Sequence, residues 1–177
     1  RRRNRRPRDV RRPDLRRLQD LHRFALVKQA DLLLEAGRRE EAVALLREAA
    51  ATKTKRAFGG LQEASAGEHL LAYQQYAARK EYAQALRELA AWELDAPLDK
   101  VEGPLRFFRA DLYLLLGMPR RALVEVERLR RANPTSPDLP AALIMAAHCH
   151  LALGRREEAR RVLTGIIEDH PVSEARR

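Results

Sequence analysis

A short string recurs along this chain and limits what it can fold into. It reads Leu-Glu-Ala-Gly-Arg-Arg-Glu-Glu-Ala at 34–42, Leu-Leu-Gly-Met-Pro-Arg-Arg-Ala at 115–122 and Leu-Ala-Leu-Gly-Arg-Arg-Glu-Glu-Ala at 151–159. In every copy a Gly is followed five residues later by an Ala. A degenerate copy, Arg-Lys-Glu-Tyr-Ala-Gln-Ala at 79–85, has Lys80 at the Gly position. Self-similarity at this spacing means stacked supersecondary units, none able to bury its apolar face alone. Such an architecture favours a binding scaffold over an enzyme.

The composition agrees with helices. Leu, Ala, Arg and Glu dominate, and aromatics make up only 5% of 177 residues. No apolar run approaches the roughly 18–20 residues that span a bilayer. No secretory core is visible. The chain does not begin with Met, so the native N-terminus is expected to lie further upstream, and cytoplasm and bacterial envelope both stay open as compartments. Cys149 is the single cysteine, so no intrachain disulfide framework exists. The net charge of +10 is unevenly placed. Residues 1–17 hold ten Arg against two Asp, a net of +8, whereas the remainder carries 25 basic and 23 acidic residues. The basicity belongs to an arm, not to the fold.

Residues 1–13 (Arg1, Arg2, Arg3, Arg5, Arg6, Arg8, Arg11 and Arg12 among them) contain too few apolar groups to build a core. Pro13-Asp14 signals a helix start, with Asp14 as N-cap. Leu15, Leu18, Leu21, Ala25, Leu26, Ala30 and Leu33 then recur at three- and four-residue spacing, a long amphipathic helix ending near Gly37. Further helices are expected at about 38–52, 67–79, 81–95, 103–116, 118–132, 139–153 and 155–169. Gly59-Gly60 marks a break, and the segment 172–177 is a tail. Short turns make neighbours antiparallel. The repeat domain therefore spans 14–171, in units of about 14–54, 67–97, 103–134 and 139–171.

These residues resemble the tetratricopeptide repeat, a helix-turn-helix unit of about 34 residues. In the last unit its small, turn and terminal positions fall on Leu143, Ala147, Gly154, Ala159, Leu163 and Pro171. In the third they fall on Ala110, Tyr113, Gly117, Ala122, Leu129 and Pro134, and in the first on Leu26, Ala30, Leu33, Gly37, Ala42, Leu46 and Ala49. The second unit keeps Tyr76, Ala85, Leu89, Trp92 and Pro97, but has Tyr73 where a small residue is usual, which suggests a wider crossing. The turn positions are 43, 37 and 37 residues apart, so the loops are longer than the family's. Longer spacing of this kind is similar to bacterial envelope members of the superfamily. The resemblance implies an all-α, right-handed superhelical solenoid of about four hairpins.

It also implies a concave groove lined by the first helices of the hairpins. Carried over, the groove positions are Phe24, Val27, Asp31 and Leu34; Leu70, Gln74 and Ala77; Phe107, Asp111 and Leu114; and Ile144, His148 and Leu151. The competing reading is that some of these apolar residues only pack between repeats. Asp31, Gln74, Asp111 and His148 occupy the rung where some relatives place an Asn that grips a terminal carboxylate, so that clamp is absent. The expected partner is a protein offering an apolar or amphipathic segment, with a basic residue to suit Asp31 and Asp111. The arm reads three ways: binding to nucleic-acid phosphates, flanking a membrane, or contacting an acidic protein surface. No aromatic residue interleaves its arginines, so base stacking is unsupported.

His148-Cys149-His150 cannot converge on one ion, because consecutive helical side chains point about 100° apart. His150 and Trp92 are read as core residues, and Asp138 as an N-cap. Glu40-Glu41 and Glu157-Glu158 open second helices, where carboxylates suit the positive end of the dipole. No phosphate loop, nucleophile elbow or zinc motif occurs. The expectation is a non-catalytic scaffold with no cofactor. Its rival is an RNA- or nucleoprotein-associated factor tethered through the arm.

Overall fold

A computed structural model describes residues 15–52 and 66–169. The arm arginines, Asp14, Gly59, Gly60 and Pro171 lie outside the described residues. Among the described residues eight α-helices form four hairpins: α1 (Leu15–Glu35) with α2 (Arg39–Ala51), α3 (Ala66–Ala78) with α4 (Tyr82–Asp95), α5 (Leu105–Leu115) with α6 (Pro119–Ala132), and α7 (Leu139–Ala152) with α8 (Arg156–Asp169). A short 3-10 turn, Pro97–Lys100, separates α4 from α5.

All four hairpin turns have one geometry. Gly37, Gly117 and Gly154 take left-handed φ values of 76°, 67° and 74°, and Lys80 takes 60°. Each turn closes with the same two backbone bonds. The residue after the left-handed position donates to the carbonyl five residues back (Arg38 to Leu33, Glu81 to Tyr76, Met118 to Tyr113, Arg155 to His150). The left-handed residue itself donates three back (Gly37 to Leu34, Lys80 to Ala77, Gly117 to Leu114, Gly154 to Leu151). This is the Schellman closure, which satisfies carbonyls the helix end leaves open. The degenerate copy at Lys80 is thus a true repeat turn. A side chain in the left-handed region costs about 1–2 kcal/mol. Lys80→Gly should therefore stabilise the protein by about 1 kcal/mol, after glycine's own entropy cost. That is an upward melting shift of about 2–4 °C for a chain of this size, readable by circular dichroism.

Five residues beyond each turn, Ala42, Ala85, Ala122 and Ala159 are essentially fully buried, so each hairpin closes on a methyl group. Asp138 does not cap α7 with its side chain. Instead its backbone N–H donates to the Ser136 hydroxyl at 3.3 Å, so the entry to α7 is shaped by the preceding turn.

The later hairpins stack in order, α4 on α5, α6 on α7, and α5 beside α7. The first hairpin does not take the corresponding place against α3. It lies across the second-helix side of the stack, where α1 meets α4 and α6 and α2 meets the 3-10 turn. Its core (Leu26, Val27, Ala30, Leu34, Ala42, Leu46) is completed by Val101 and Ala132 from beyond the second hairpin. Thirteen residues between Thr52 and Ala66 give the chain enough length to make this detour.

Candidate functional site

The first hairpin's contribution to the expected groove is corrected by this arrangement. Val27 and Leu34 are buried in the core, and Asp31 is tied into a cluster of charges. Phe24 is exposed, but it sits on a helix that is not in line with α3, α5 and α7, and Lys28 lies 5.3 Å from its ring centre. The other positions form a ladder over three helices. Gln74 and His148 are exposed, as are Ile144 and Leu151, while Leu70, Ala77, Phe107, Asp111 and Leu114 are half-buried. Phe107 and Leu114 spend part of their surface in the core shared with α6 and α7. Asp111 accepts a 2.8 Å bond from the Tyr73 hydroxyl. Asp31 and Asp111 are therefore both engaged within the protein, and a basic residue in the partner loses its reason.

Tyr73 is buried, with its ring against Phe108 and its hydroxyl bound to α5. The large residue at this position ties the second hairpin to the third. Burial and the neighbouring Asp111 carboxylate push its phenol well above the ordinary tyrosine range. Trp92 is fully buried, stacked near His69 and Phe108, and its indole N–H donates to Asp99 at 2.6 Å. Gly103 is obligatory beside it, because a Cβ there would come within 2.8 Å of the Asp99 Cβ. His69 is buried between Glu88 (2.6 Å) and Asp95 (3.2 Å). It bridges α3 to two carboxylates of α4.

The junction of α1, α4, the 3-10 turn, α5 and α6 holds charges in place of apolar packing. Lys100 and Arg106 are almost fully buried, and Glu93 and Glu125 are buried with them. The Lys100 ammonium bridges Glu93 and Asp31, the latter at 2.7 Å. Arg106 donates to Asp31 at 3.2 Å, to Glu125 at 3.3 Å and to the Lys100 carbonyl at 2.9 Å. Arg109 meets Glu93 at 2.6 Å and Lys28 closes the rim on Glu93 at 3.1 Å. At the outer edge, Arg128 joins Glu125 at 2.9 Å and also pairs with Glu35 of α1.

The buried Glu93 and Glu125 with the half-buried Asp31 thus balance the buried Lys100 and Arg106 with the half-buried Arg109, which is what makes burial of ions tolerable. Desolvation would raise Glu93, but Arg109 and Lys100 outweigh it and hold the carboxyl far below its usual range. Asp31 is lowered in the same way, burial being overcome by Lys100 and Arg106. The sign of the linkage follows. Carboxylates depressed in the folded state give stability that is complete above their unfolded pKa of roughly 4–4.5. That stability is lost as pH falls through the folded values. The free energy of unfolding should drop progressively below about pH 5. Denaturant titrations at several pH values check this, and Glu93→Gln should flatten the slope.

The sequence reading missed this cluster, although a signal existed. Glu125 lies on the stripe Ala122, Val126, Leu129 and Ala132, and Arg106 on the stripe of Leu105 and Ala110. A charge on an apolar stripe needs a partner. The His148-Cys149-His150 run diverges: His148 is exposed, Cys149 buried and His150 half-buried. The Nδ1 of His150 is buried without a hydrogen-bond partner. It lies beside a cleft of about 430 Å³ between α6, α7 and α8.

Helical hairpins with one shared turn, an Ala at each closure and a ladder of first helices define the class: an all-α helical-repeat protein. The family model for the tetratricopeptide repeat matches residues 24–48 and 140–163, in the first and last hairpins. The chain is thus similar to tetratricopeptide-repeat proteins in these two hairpins, and its all-helical hairpins fit such a repeat. No curated protein matches it, and no solved structure does. Tetratricopeptide repeats generally mediate protein–protein interaction, which supports a scaffold or adaptor role.

Proposed function

We propose that the protein is a non-catalytic scaffold holding one partner protein within a larger assembly, through the ladder of α3, α5 and α7. One observation carries this reading. Ile144, His148 and Leu151, at helical spacing on α7, leave a continuous exposed strip, with Ile144 44% and Leu151 51% accessible. Gln74 of α3 and Asp111 of α5 continue the same register, 37 residues apart in each step. Large apolar groups kept in water at one helix face mark an interaction site. The partner offers an apolar segment, and the Arg-rich arm adds electrostatic attachment to an acidic surface.

The test is co-precipitation with mass-spectrometric identification, using the full chain, the chain without residues 1–14, and an Ile144→Asp/Gln74→Arg variant. Both substitutions fall on exposed side chains, so the fold should be retained, and denaturant curves check this. Loss of the main partner in the surface variant alone supports the scaffold. Loss only without the arm, with steep salt dependence, would point to a nucleic-acid or acidic-surface tether and overturn the reading.

A further inference from the structure

The cleft between α6, α7 and α8 has apolar walls and holds two polar groups that the protein leaves unmatched. Leu123 and Val126 of α6, Leu143 and Ala146 of α7, and Val162 and Ile166 of α8 line a space of about 430 Å³. That lies at the small end of the roughly 300–1,000 Å³ of ligand pockets. The imidazole of His150 also lines it and makes no hydrogen bond among the described residues, with its Nδ1 shut off from water. A buried polar atom left open calls for a ligand, ion or water to explain it. Arg161 of α8 lines the same space and makes no ion pair among the described residues. The other charges there are matched: Glu127 accepts from Arg130 at 2.9 Å and from Arg131 at 2.6 Å.

A glycine opens this space. α6 and α8 both pack on α7. Gly165 of α8 lines the gap, and a Cβ added there would meet nothing within 4 Å. Its φ is outside the left-handed region, so the backbone does not require glycine, which weakens a helix interior. The turn glycines Gly117 and Gly154 set a repeat offset of 37 residues, which puts Gly165 in register with Arg128. In the third hairpin the Arg128 side chain crosses to Glu35 of α1. In the fourth, the equivalent place has no side chain.

We propose that this cleft binds a small apolar carboxylic acid, its chain in the gap beside Gly165, its carboxylate paired with Arg161 and its polar end completed by His150. The walls call for an apolar body. Covering Arg161 with a neutral group would desolvate a cation without a counter-charge, and a carboxylate supplies one. The cleft uses a different face of α7 from Ile144, His148 and Leu151, so this reading and the ladder can fail separately.

The test is isothermal titration calorimetry of the full chain with octanoate, and with octanol as its neutral counterpart. Octanoate should bind saturably at one site. Arg161→Gln, on an exposed side chain, should weaken it at least about tenfold, the size of one charge-assisted hydrogen bond, and leave octanol unchanged. Gly165→Leu fills the gap and should abolish binding of both, while raising the denaturation midpoint, since leucine favours a helix over glycine. A damaged fold would lose stability together with binding, so the opposite signs identify the cleft. Gly165→Ala, too short to fill the gap, should raise the midpoint and keep binding. If the leucine lowers the midpoint, Arg161→Gln decides alone. The proposal is overturned by absence of saturable octanoate binding, or by equal affinity in the wild type and Arg161→Gln. Loss of binding in the ladder variant Ile144→Asp/Gln74→Arg would overturn it by placing the ligand on the ladder. Binding that appears only after removal of residues 170–177 would overturn it by making that segment the occupant.

Discussion

Replacing Glu93 with glutamine should lower the free energy of unfolding by about 3–5 kcal/mol, because it leaves a buried cation without its counter-charge. Glu93 receives Lys100, Arg109 and Lys28. Without its charge, Asp31 and Glu125 must balance Lys100, Arg106 and Arg109 in a largely buried region. For a domain whose whole stability is about 5–15 kcal/mol, this is a large fraction. Guanidinium unfolding of both proteins measures the difference, with an unchanged slope showing that the native fold is kept. The loss should also be local at first. The first hairpin docks on the stack partly through this cluster, so amide exchange in α1 and α2 should accelerate more than in α7 and α8. A loss under about 1 kcal/mol would mean that the cluster is hydrated like a surface ion pair.

Removing Trp92 should cost a similar amount by a different route. Trp92→Ala opens a cavity among His69, Tyr73 and Phe108 and should destabilise by about 3–5 kcal/mol. Part of that comes from Asp99, which would lose the indole N–H bonded to it at 2.6 Å. Trp92→Phe separates the two contributions. It keeps most of the ring volume but strands the Asp99 oxygen, so it should cost about 1–3 kcal/mol. Far-ultraviolet circular dichroism against denaturant reads both variants. Trp92 is the single tryptophan, so emission of the unmodified protein also reports on this one site. If Trp92→Phe proved as damaging as Trp92→Ala, the hydrogen bond to the 3-10 turn, and not the ring packing, would carry the contribution of Trp92.

Much of the fold is legible in the chain because its determinants are local. Gly37, Gly117 and Gly154 end helices by a backbone requirement, and buried Ala42, Ala122 and Ala159 allow close crossing. Lys80 obscured the second repeat only because its turn tolerates a strained residue. The fate of the groove positions was not local. Val27 and Phe107 are equally apolar in sequence, and Val27 became core while Phe107 stayed half-exposed. Which of them faces solvent depends on where the first hairpin lands. Tyr73 and Asp111 show the same thing, since 38 residues separate a hydroxyl from the carboxylate it binds.

The sequence by itself determined that this is a set of Ala-closed helical hairpins with Gly-type turns, because turn geometry and helical periodicity are written within a few residues of one another. Only the tertiary structure decided that the first hairpin lies across α4 and α6, and that Asp31, Glu93, Lys100, Arg106 and Glu125 meet in one buried cluster. The physical reason is that a long connection leaves the docking direction free. The choice is then made by desolvated charges and apolar surfaces distant in the chain, whose interaction exists only once they are brought together.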